Sequence, residues 1–221
     1  MSPSLRVRVA AEALGTALLL ATVVGSGIMG QRMSHDDGLA LLANTIATGA
    51  GLVAYISVFG PISGAHFNPA VTLVERMNGR LSTLDLAAYV GAQLVGGVLG
   101  VLLAHAMFGL PIFQQSVHVR TGVGQWIAEG VATFGLVTVI LGSSGRVPER
   151  TPMLVGLYIV AAYWFTASTS FANPAVTLAR SLTDTFSGIR PIDVPGFALA
   201  QLGGALLAAG VWRLLFSAER R

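Results

Sequence analysis

The 221-residue sequence contains no cysteine and no lysine, and charged residues make up only 10% of it. Without cysteine there is no disulfide, no thiol nucleophile and no thiolate metal ligand, so we expect insensitivity to thiol-directed mercury reagents. Hydrophobic residues make up 53% of the chain, and the mean hydropathy is +0.72. This composition is too apolar for a soluble domain and indicates a polytopic membrane protein in contact with lipid.

The basic residues are all arginine, and the net charge is +3. They lie between apolar segments and form no basic stripe, which argues against a nucleic-acid partner. If both termini are cytoplasmic, nine arginines lie inside and four outside, in agreement with the positive-inside rule. The inner set is Arg6, Arg8, Arg76, Arg80, Arg146, Arg150, Arg213, Arg220 and Arg221, and the outer set is Arg32, Arg120, Arg180 and Arg190. The arginine-only basic set and the compact tail favour a bacterial inner membrane.

Six apolar segments are present, and several of them approach or exceed the ~20 residues that a membrane-spanning helix needs. The first segment carries Glu12 and leads directly into further membrane pattern, so we expect no cleavable signal peptide. The predicted spans are 7–29, 39–60, 83–108, 123–143, 153–166 and 196–216.

One six-residue stretch, Asn-Pro-Ala-Val-Thr-Leu, occurs twice, at 68–73 and at 173–178. Asparagine is a good helix N-cap and proline fits the first helical position, so each copy predicts the start of a helix. Gly79 and Gly188 indicate where these helices end, at a length of ~15 Å, which is half of a bilayer core. Such half-helices are expected in a channel or transporter whose site lies at mid-membrane. The predicted half-helices cover 69–78 and 174–183.

The two halves of the chain repeat each other, at about 1–110 and 120–221. Ala11-Glu12 in the first half matches Ala128-Glu129 in the second half. Each repeat has three spans, an odd number, so the second copy enters the membrane inverted. We therefore expect one domain over 1–221, in which the N-termini of the two half-helices meet at the centre.

These features resemble the aquaporin, or major intrinsic protein, family over nearly the whole chain. The matching residues are Asn68, Pro69, Ala70, Asn173, Pro174, Ala175, Ser63 to His66, Glu12 and Glu129. The resemblance implies an all-α polytopic membrane protein, a right-handed bundle of six transmembrane helices with two re-entrant half-helices. It also implies a homotetramer with a pore in each subunit and no cofactor.

The two capping asparagines suggest how such a pore works. The side-chain carbonyl of Asn68 or Asn173 accepts N–H groups at its own helix start, which leaves the NH2 group as a donor toward the pore. The positive ends of two half-helices lie behind these donors. A permeating water or hydroxyl group offers its oxygen there, and the field opposes protons and other cations.

Two carboxylates, Glu12 and Glu129, lie inside apolar helices, where an ionisable group by default marks function. One interpretation is a proton relay. We favour the role that the resemblance implies, in which they hydrogen-bond the backbone of the re-entrant loops. His66 resembles the family's loop histidine, and we expect it to be packed and hydrogen-bonded. The sequence shows no metal-ligand cluster and no nucleophile–base pair, so we predict neither a metal site nor an enzyme.

The family narrows its pore with four side chains, one of which is an arginine directly after the second Asn-Pro-Ala. Here that position is Val176. Spacing assigns Thr48 and Ser170 to two of the other three positions. The remaining position, on the fifth helix, is either Ala161 or Tyr163. We favour Tyr163, because helix registers are harder to shift than loop lengths. Arg180 lies one helical turn after Val176 and offers a partial replacement, although we expect it to cap or brace the half-helix.

These residues predict a wider and less polar constriction, and hence a channel for uncharged solutes larger than water. The pattern resembles the aquaporin subgroup associated with arsenic-resistance operons, which implies neutral metalloid substrates such as arsenous acid, antimonous acid or methylated arsenicals. One alternative is an ordinary water or glycerol facilitator. Others are a secondary transporter, which needs a coupling site, and a structural membrane protein without solute flux.

Overall fold

The computed structural model describes residues 3–216, so the predicted inner arginines Arg220 and Arg221 lie outside the described residues. Within that range the regular secondary structure is entirely helical. It comprises α1 (Leu5–Met33), α2 (Asp37–Ser63), α3 (Pro69–Met77), α4 (Thr83–Phe108), α5 (Val123–Ser144), α6 (Thr151–Phe165), α7 (Pro174–Arg180) and α8 (Val194–Phe216), with 3₁₀ turns at Pro148–Arg150 and Pro191–Asp193.

Five of the six long helices are long and apolar enough to cross a membrane, namely α1, α2, α4, α5 and α8. The sixth, α6, has 15 residues and spans ~22 Å, and the 3₁₀ turn before it adds to that length. The structure therefore confirms an all-α membrane bundle with two additional short helices.

The ends of the spanning helices differ from the predicted ends, because polar caps lie beyond the apolar runs. The predicted span 7–29 is observed as α1 from Leu5 to Met33, with the hydroxyl of Ser4 accepting from Val7 N. The predicted span 39–60 is observed as α2, which begins after a cap by Asp36 and continues through Pro61. Hydropathy detects the lipid-facing part of a helix, whereas the helix itself continues to its capping residue.

The second half-helix is shorter than predicted, and the predicted end at residue 183 is wrong. It ends at Arg180, whose carbonyl accepts from Ile189 N at 3.3 Å, and the Ser181 carbonyl accepts from Ser116 N at 3.0 Å. These loop contacts replace the bonds that would continue the helix. Gly188 is needed for a different reason, since a Cβ there would overlap Ser116 Oγ and the Thr183 carbonyl.

The helices pack as two corresponding halves, α1 against α2 and α4, and α5 against α6 and α8. Within each half the closest approach is made by glycine. Gly96 and Gly100 of α4 lie against carbonyl oxygens of α1, and Gly204 of α8 lies against the carbonyl of Gly130 in α5. Small residues allow these backbones to approach closely, as is common between membrane helices.

Ion pairs and hydrogen bonds define two faces of the bundle. On the terminal face, where α1 begins and α8 ends, Arg8 pairs with Asp85 at 2.9 Å and Arg213 donates to the Met77 carbonyl at 2.6 Å. On the far face, Arg32 donates to the Phe108 carbonyl at 2.6 Å. The helix α3 thus runs from the centre to the terminal face and α7 from the centre to the far face, as an inverted repeat requires.

Candidate functional site

The starts of the two half-helices meet at the centre of the bundle through their asparagines. Asn68 Oδ1 accepts from Ala70 N at 2.9 Å, and Asn173 Oδ1 accepts from Ala175 N at 3.0 Å. Each asparagine thus caps its own helix, while the proline that follows it occupies the first helical position.

The amide groups of these asparagines also cross from one half of the chain to the other. Asn68 Nδ2 donates to the Ala172 carbonyl at 2.8 Å, and Asn173 Nδ2 donates to the Phe67 carbonyl at 2.7 Å. The expectation of a free NH2 group is therefore corrected, because one N–H of each amide holds the opposite loop. An NH2 group has two donors, so one N–H of each asparagine remains for the cavity.

The loops that lead into the half-helices contain residues with left-handed backbone conformations. Ala65 and Phe67 have φ values of 48° and 49°, and Thr169, Ser170 and Ala172 have values between 49° and 61°. Such conformations are unfavourable for residues with a side chain and persist only where their surroundings fix them. Both loops therefore need strong partners inside the bundle.

Two buried carboxylates supply those partners, and both have no exposed surface. Glu12 accepts from His66 N at 2.9 Å, from Phe67 N at 2.7 Å and from Ser63 Oγ at 2.7 Å. Glu129 accepts from Phe171 N and Ala172 N, each at 2.8 Å. Because the oxygens of both are already committed to loop donors, the arrangement favours bracing of the loops over a proton relay.

A glutamine and a threonine complete each brace, and sequence analysis missed the threonines. Gln93 Nε2 donates to Glu12 at 2.8 Å and to Thr72 Oγ1 at 2.9 Å. Gln201 Nε2 donates to Glu129 at 2.6 Å and to Thr177 Oγ1 at 2.8 Å. Both threonines belong to the repeated six-residue stretch, and that repetition was the signal for their role.

His66 occupies the position in its loop that Phe171 occupies in the other loop, two residues before the capping asparagine. Its Nδ1 lies 3.2 Å from Thr72 Oγ1, and its ring lies 5.4 Å from the ring of Tyr89 in an edge-to-face arrangement. The side chain is half-buried and lines the cavity described next.

A cavity of about 250 Å³ runs from the terminal face past both asparagines to the far face. Four residues assigned from spacing line it, namely Thr48, Tyr163, Ser170 and Val176. The alternative for the fifth helix, Ala161, is exposed on the outside of the bundle and is not among the lining residues. The Tyr163 hydroxyl donates to Thr48 Oγ1 at 3.4 Å, so these two side chains share one wall of the cavity.

The cavity has an apolar wall and a polar strip. Aliphatic side chains from several helices form the wall, and they are Leu19, Val23, Leu52, Ile56, Val71, Leu136, Ile140, Val155, Ile159 and Val176. The strip contains both asparagines and the hydroxyl groups of Ser144, Thr151 and Ser170, which are buried without a hydrogen-bond partner in the described part of the chain. Buried polar groups of this kind need partners, which solute or water in the cavity would supply.

One arginine lines the far end of the cavity, and a second packs near it on the ring of Phe171. Arg180 lines the cavity, and Nε of Arg180 donates to the Ser187 carbonyl, which is the bracing contact expected from the sequence. Arg120 donates from Nε to the Gly188 carbonyl at 2.8 Å. Burial lowers the pKa of Arg120 from its ordinary value, and nearby Glu129 opposes that shift. Sequence analysis assigned Arg120 only to topology and missed this loop contact.

A metal centre finds no support among residues 3–216, because that range contains no group of three or more His, Asp or Glu side chains placed to hold an ion.

Comparison with known proteins points to one family. The model of the family described as major intrinsic protein matches residues 2–170. Aquaglyceroporin AqpS of Rhizobium meliloti (strain 1021) is 61% identical over 213 residues, which cover 96% of this chain and 91% of that protein. Aquaporin Z of Photorhabdus laumondii is 26% identical over 232 residues, which cover 96% and 99%.

A solved structure shares the fold. The aquaglyceroporin from Plasmodium falciparum superimposes with a TM-score of 0.71 at 18% identity, covering 95% of this chain and 96% of that one. At that level of identity the likeness shows the helical architecture.

Proposed function

The chain belongs to the major intrinsic protein family of passive membrane channels, which are not enzymes, and we propose that it conducts uncharged solutes larger than water as well as water. The observation that carries this proposal is the valine at position 176, directly after Asn173-Pro174-Ala175, in the wall of the cavity. A guanidinium there would fill more volume, donate several hydrogen bonds and carry a fixed charge.

The cavity at the level of Val176 is bounded by Thr48, Tyr163, Ser170 and Val176. These side chains offer few polar groups to a solute. The Tyr163 hydroxyl donates to Thr48 Oγ1, so that donor is engaged within the wall. The hydroxyl of Ser170 is the unpartnered polar group here. A wide and mostly apolar constriction with one unpartnered hydroxyl favours solutes that combine a few hydroxyl groups with an apolar side.

Glycerol-like solutes and neutral metalloid acids such as arsenous acid fit this description. Each is a small, uncharged, hydroxylated molecule that can keep its oxygens on the polar strip while its other surface contacts the aliphatic wall. The name of the Rhizobium meliloti relative, an aquaglyceroporin, supports glycerol as one of these solutes. The valine at position 176 and the resemblance to the arsenic-operon subgroup support the metalloid acids.

At the centre, Asn68 and Asn173 act as the donors that each solute passes. One N–H of each amide remains available beside the positive ends of α3 and α7. A solute oxygen accepts from these groups in turn, and the same positive field opposes cations.

The channel works as a homotetramer with a pore in each subunit, in the inner membrane, with both termini in the cytoplasm. Many large apolar side chains of the long helices are exposed on the isolated chain, including Leu99, Leu157 and Leu207. In a membrane such side chains contact either lipid or a neighbouring subunit.

The test is solute flux in proteoliposomes measured by stopped flow for water, glycerol and arsenite, with wild type compared with Val176→Arg. We expect wild type to pass all three, and the substitution to slow glycerol and arsenite by about tenfold or more while water flux survives. Val176→Met, which adds volume without charge, separates the effect of size from that of hydrogen bonding.

Four outcomes count against the proposal or narrow it. The proposal is overturned if glycerol and arsenite are released no faster than from empty vesicles. If the wild type passes only water and Val176→Arg does not change the flux, the selectivity filter lies elsewhere. Flux of glycerol without arsenite identifies an ordinary glycerol facilitator. Saturable uptake coupled to an ion gradient identifies a transporter instead.

A further inference from the structure

The guanidinium of Arg180 lies at the far end of the cavity and has hydrogen-bond donors to spare. Only 2% of the residue is exposed, and it lies one helical turn after Val176, ~6 Å further from the central asparagines. Its Nε donates to the Ser187 carbonyl, whereas its Nη1 is buried and finds no hydrogen-bond partner in residues 3–216. A buried donor without a protein partner beside a cavity is placed to bond an oxygen inside that cavity.

No carboxylate in the described part of the chain lies within ion-pair distance of Arg180. The acidic groups on this side are committed elsewhere, since Asp193 pairs with Arg190 at 3.0 Å and Asp184 lies 3.9 Å from His118. Both oxygens of Glu129 accept from loop N–H groups. The positive charge therefore acts on whatever occupies the cavity.

Packing on one aromatic ring holds this guanidinium in place. Its central carbon lies 3.4 Å from the ring centroid of Phe171, and that of Arg120 lies 5.1 Å from the same centroid. Phe171 in turn packs edge-to-face on Phe197 at 5.2 Å. Two cations on one fixed ring make the far end of the cavity strongly electropositive.

We propose that Arg180 determines the charge selectivity of the channel, by donating to a solute oxygen and repelling cations one helical turn outside the constriction. The residue that sets the width of the pore and the residue that supplies the positive charge then lie at different positions along α7. Val176 leaves room for a larger neutral solute, and Arg180 supplies the positive charge ~6 Å further out. The inference rests on the proposed channel function, and it explains how a wide constriction keeps a barrier to ions.

Leak of protons and sodium into proteoliposomes, normalised to water flux, tests this role with Arg180→Met and Arg180→Lys. We expect Arg180→Met to raise the leak roughly a hundred- to a thousandfold, the effect of removing a unit charge about 4–6 Å from the path at an effective dielectric constant of about 20. Arg180→Lys keeps the charge, so its leak stays near that of wild type. A residue that only braced the loop would be rescued by Arg180→Gln as well as by Arg180→Lys, because both keep a donor for the Ser187 carbonyl.

Two more variants keep the test decisive if Arg180→Met folds poorly. Arg180→Gln retains a donor for the Ser187 carbonyl and removes the charge, so its leak is also expected to rise. The double variant Val176→Arg with Arg180→Met returns a charge to the constriction and is expected to restore the barrier. A folded Arg180→Gln or Arg180→Met protein with the wild-type leak overturns the inference, whereas absent glycerol flux in wild type overturns only the proposed function.

Discussion

Residues 161 and 163 of α6 show how helix register decides which side chain lines the cavity. They lie two positions apart, which places them on nearly opposite sides of an α-helix. Ala161 is exposed on the outside of the bundle and Tyr163 lines the cavity. Counting forward from the start of α6 gives Tyr163, whereas counting back from Asn173 gives Ala161. The second count depends on the length of the loop between α6 and Asn173, and loop lengths change more readily than helix registers.

The absence of cysteine allows a direct test of this lining. We expect wild-type water flux to resist thiol-directed mercury reagents, since the chain offers them no thiol. Ser170→Cys, a nearly isosteric change in the cavity wall, is expected to lose most of its water flux on treatment and to regain it with a thiol reductant. Ala161→Cys is the matched control on the outer surface, and block of that variant instead would place Ala161 in the pore.

Glu12 shows how one side chain stabilises an unfavourable loop. Its two oxygens accept from two backbone N–H groups, a hydroxyl and the amide of Gln93. In Glu12→Gln one of these oxygens becomes an NH2 group that faces other donors. We expect a loss of about 3 kcal/mol of stability, as for the loss of hydrogen bonds to a charged group, with reduced water flux.

Thermal unfolding in detergent, together with proteoliposome flux, measures this loss. Glu149→Gln is the control, because Glu149 is exposed in the loop before α6. If Glu12→Gln unfolds at the wild-type temperature and conducts water normally, the carboxylate does not hold the loop.

At the scale of elements, local chemistry predicts some boundaries and tertiary contacts decide others. The predicted span 83–108 agrees with α4, whose start is marked by the capping box of Ser82 and Asp85 and whose end is followed by Gly109 at a φ of 65°. For α7 the end at Arg180 depends on Ile189 N and Ser116 N, which are distant along the chain. Sequence patterns do not contain that information.

Two glycines of α4 allow the effect of close helix packing on stability to be measured apart from the effect of helix propensity. A Cβ at Gly96 would overlap the carbonyl of Ala13, whereas a Cβ at Gly91 meets no atom within 4 Å. We expect Gly96→Ala to destabilise the protein by about 1–3 kcal/mol through overpacking. Gly91→Ala is expected to stabilise it by about 0.5–1 kcal/mol, since alanine is the better helix former.

Unfolding temperatures of the two purified variants in one detergent check this pair. Equal shifts of the same sign would show that α1 and α4 do not rely on close backbone contact at Gly96. The prediction concerns stability alone, because neither glycine lines the cavity.

At the scale of the whole molecule, the inverted repeat was visible in the sequence but its central connection was not. The two Asn-Pro-Ala stretches and the matching glutamates predict that two half-helices meet. The hydrogen bonds from Asn68 to Ala172 and from Asn173 to Phe67 join residues 104 and 106 positions apart. Capping rules describe an asparagine with its own helix, so they give no reason to expect a partner in the other half.

The distribution of arginine between the two faces predicts the orientation of the molecule in the membrane. Among the described arginines, Arg6, Arg8, Arg76, Arg80, Arg146, Arg150 and Arg213 belong to loops and helix ends of the terminal face, and Arg32, Arg120, Arg180 and Arg190 belong to the far face. The excess of positive charge on the terminal face predicts that this face is cytoplasmic.

Single cysteines in the cysteine-free chain test this orientation in intact cells. Gln115 is exposed in a loop of the far face and Glu149 is exposed in a loop of the terminal face. We expect a membrane-impermeant maleimide to label Gln115→Cys in intact cells and Glu149→Cys only after the membrane is permeabilised. The reverse labelling pattern would show that the molecule has the opposite orientation. Arg180 would then lie at the cytoplasmic end of the pore rather than at its outer end.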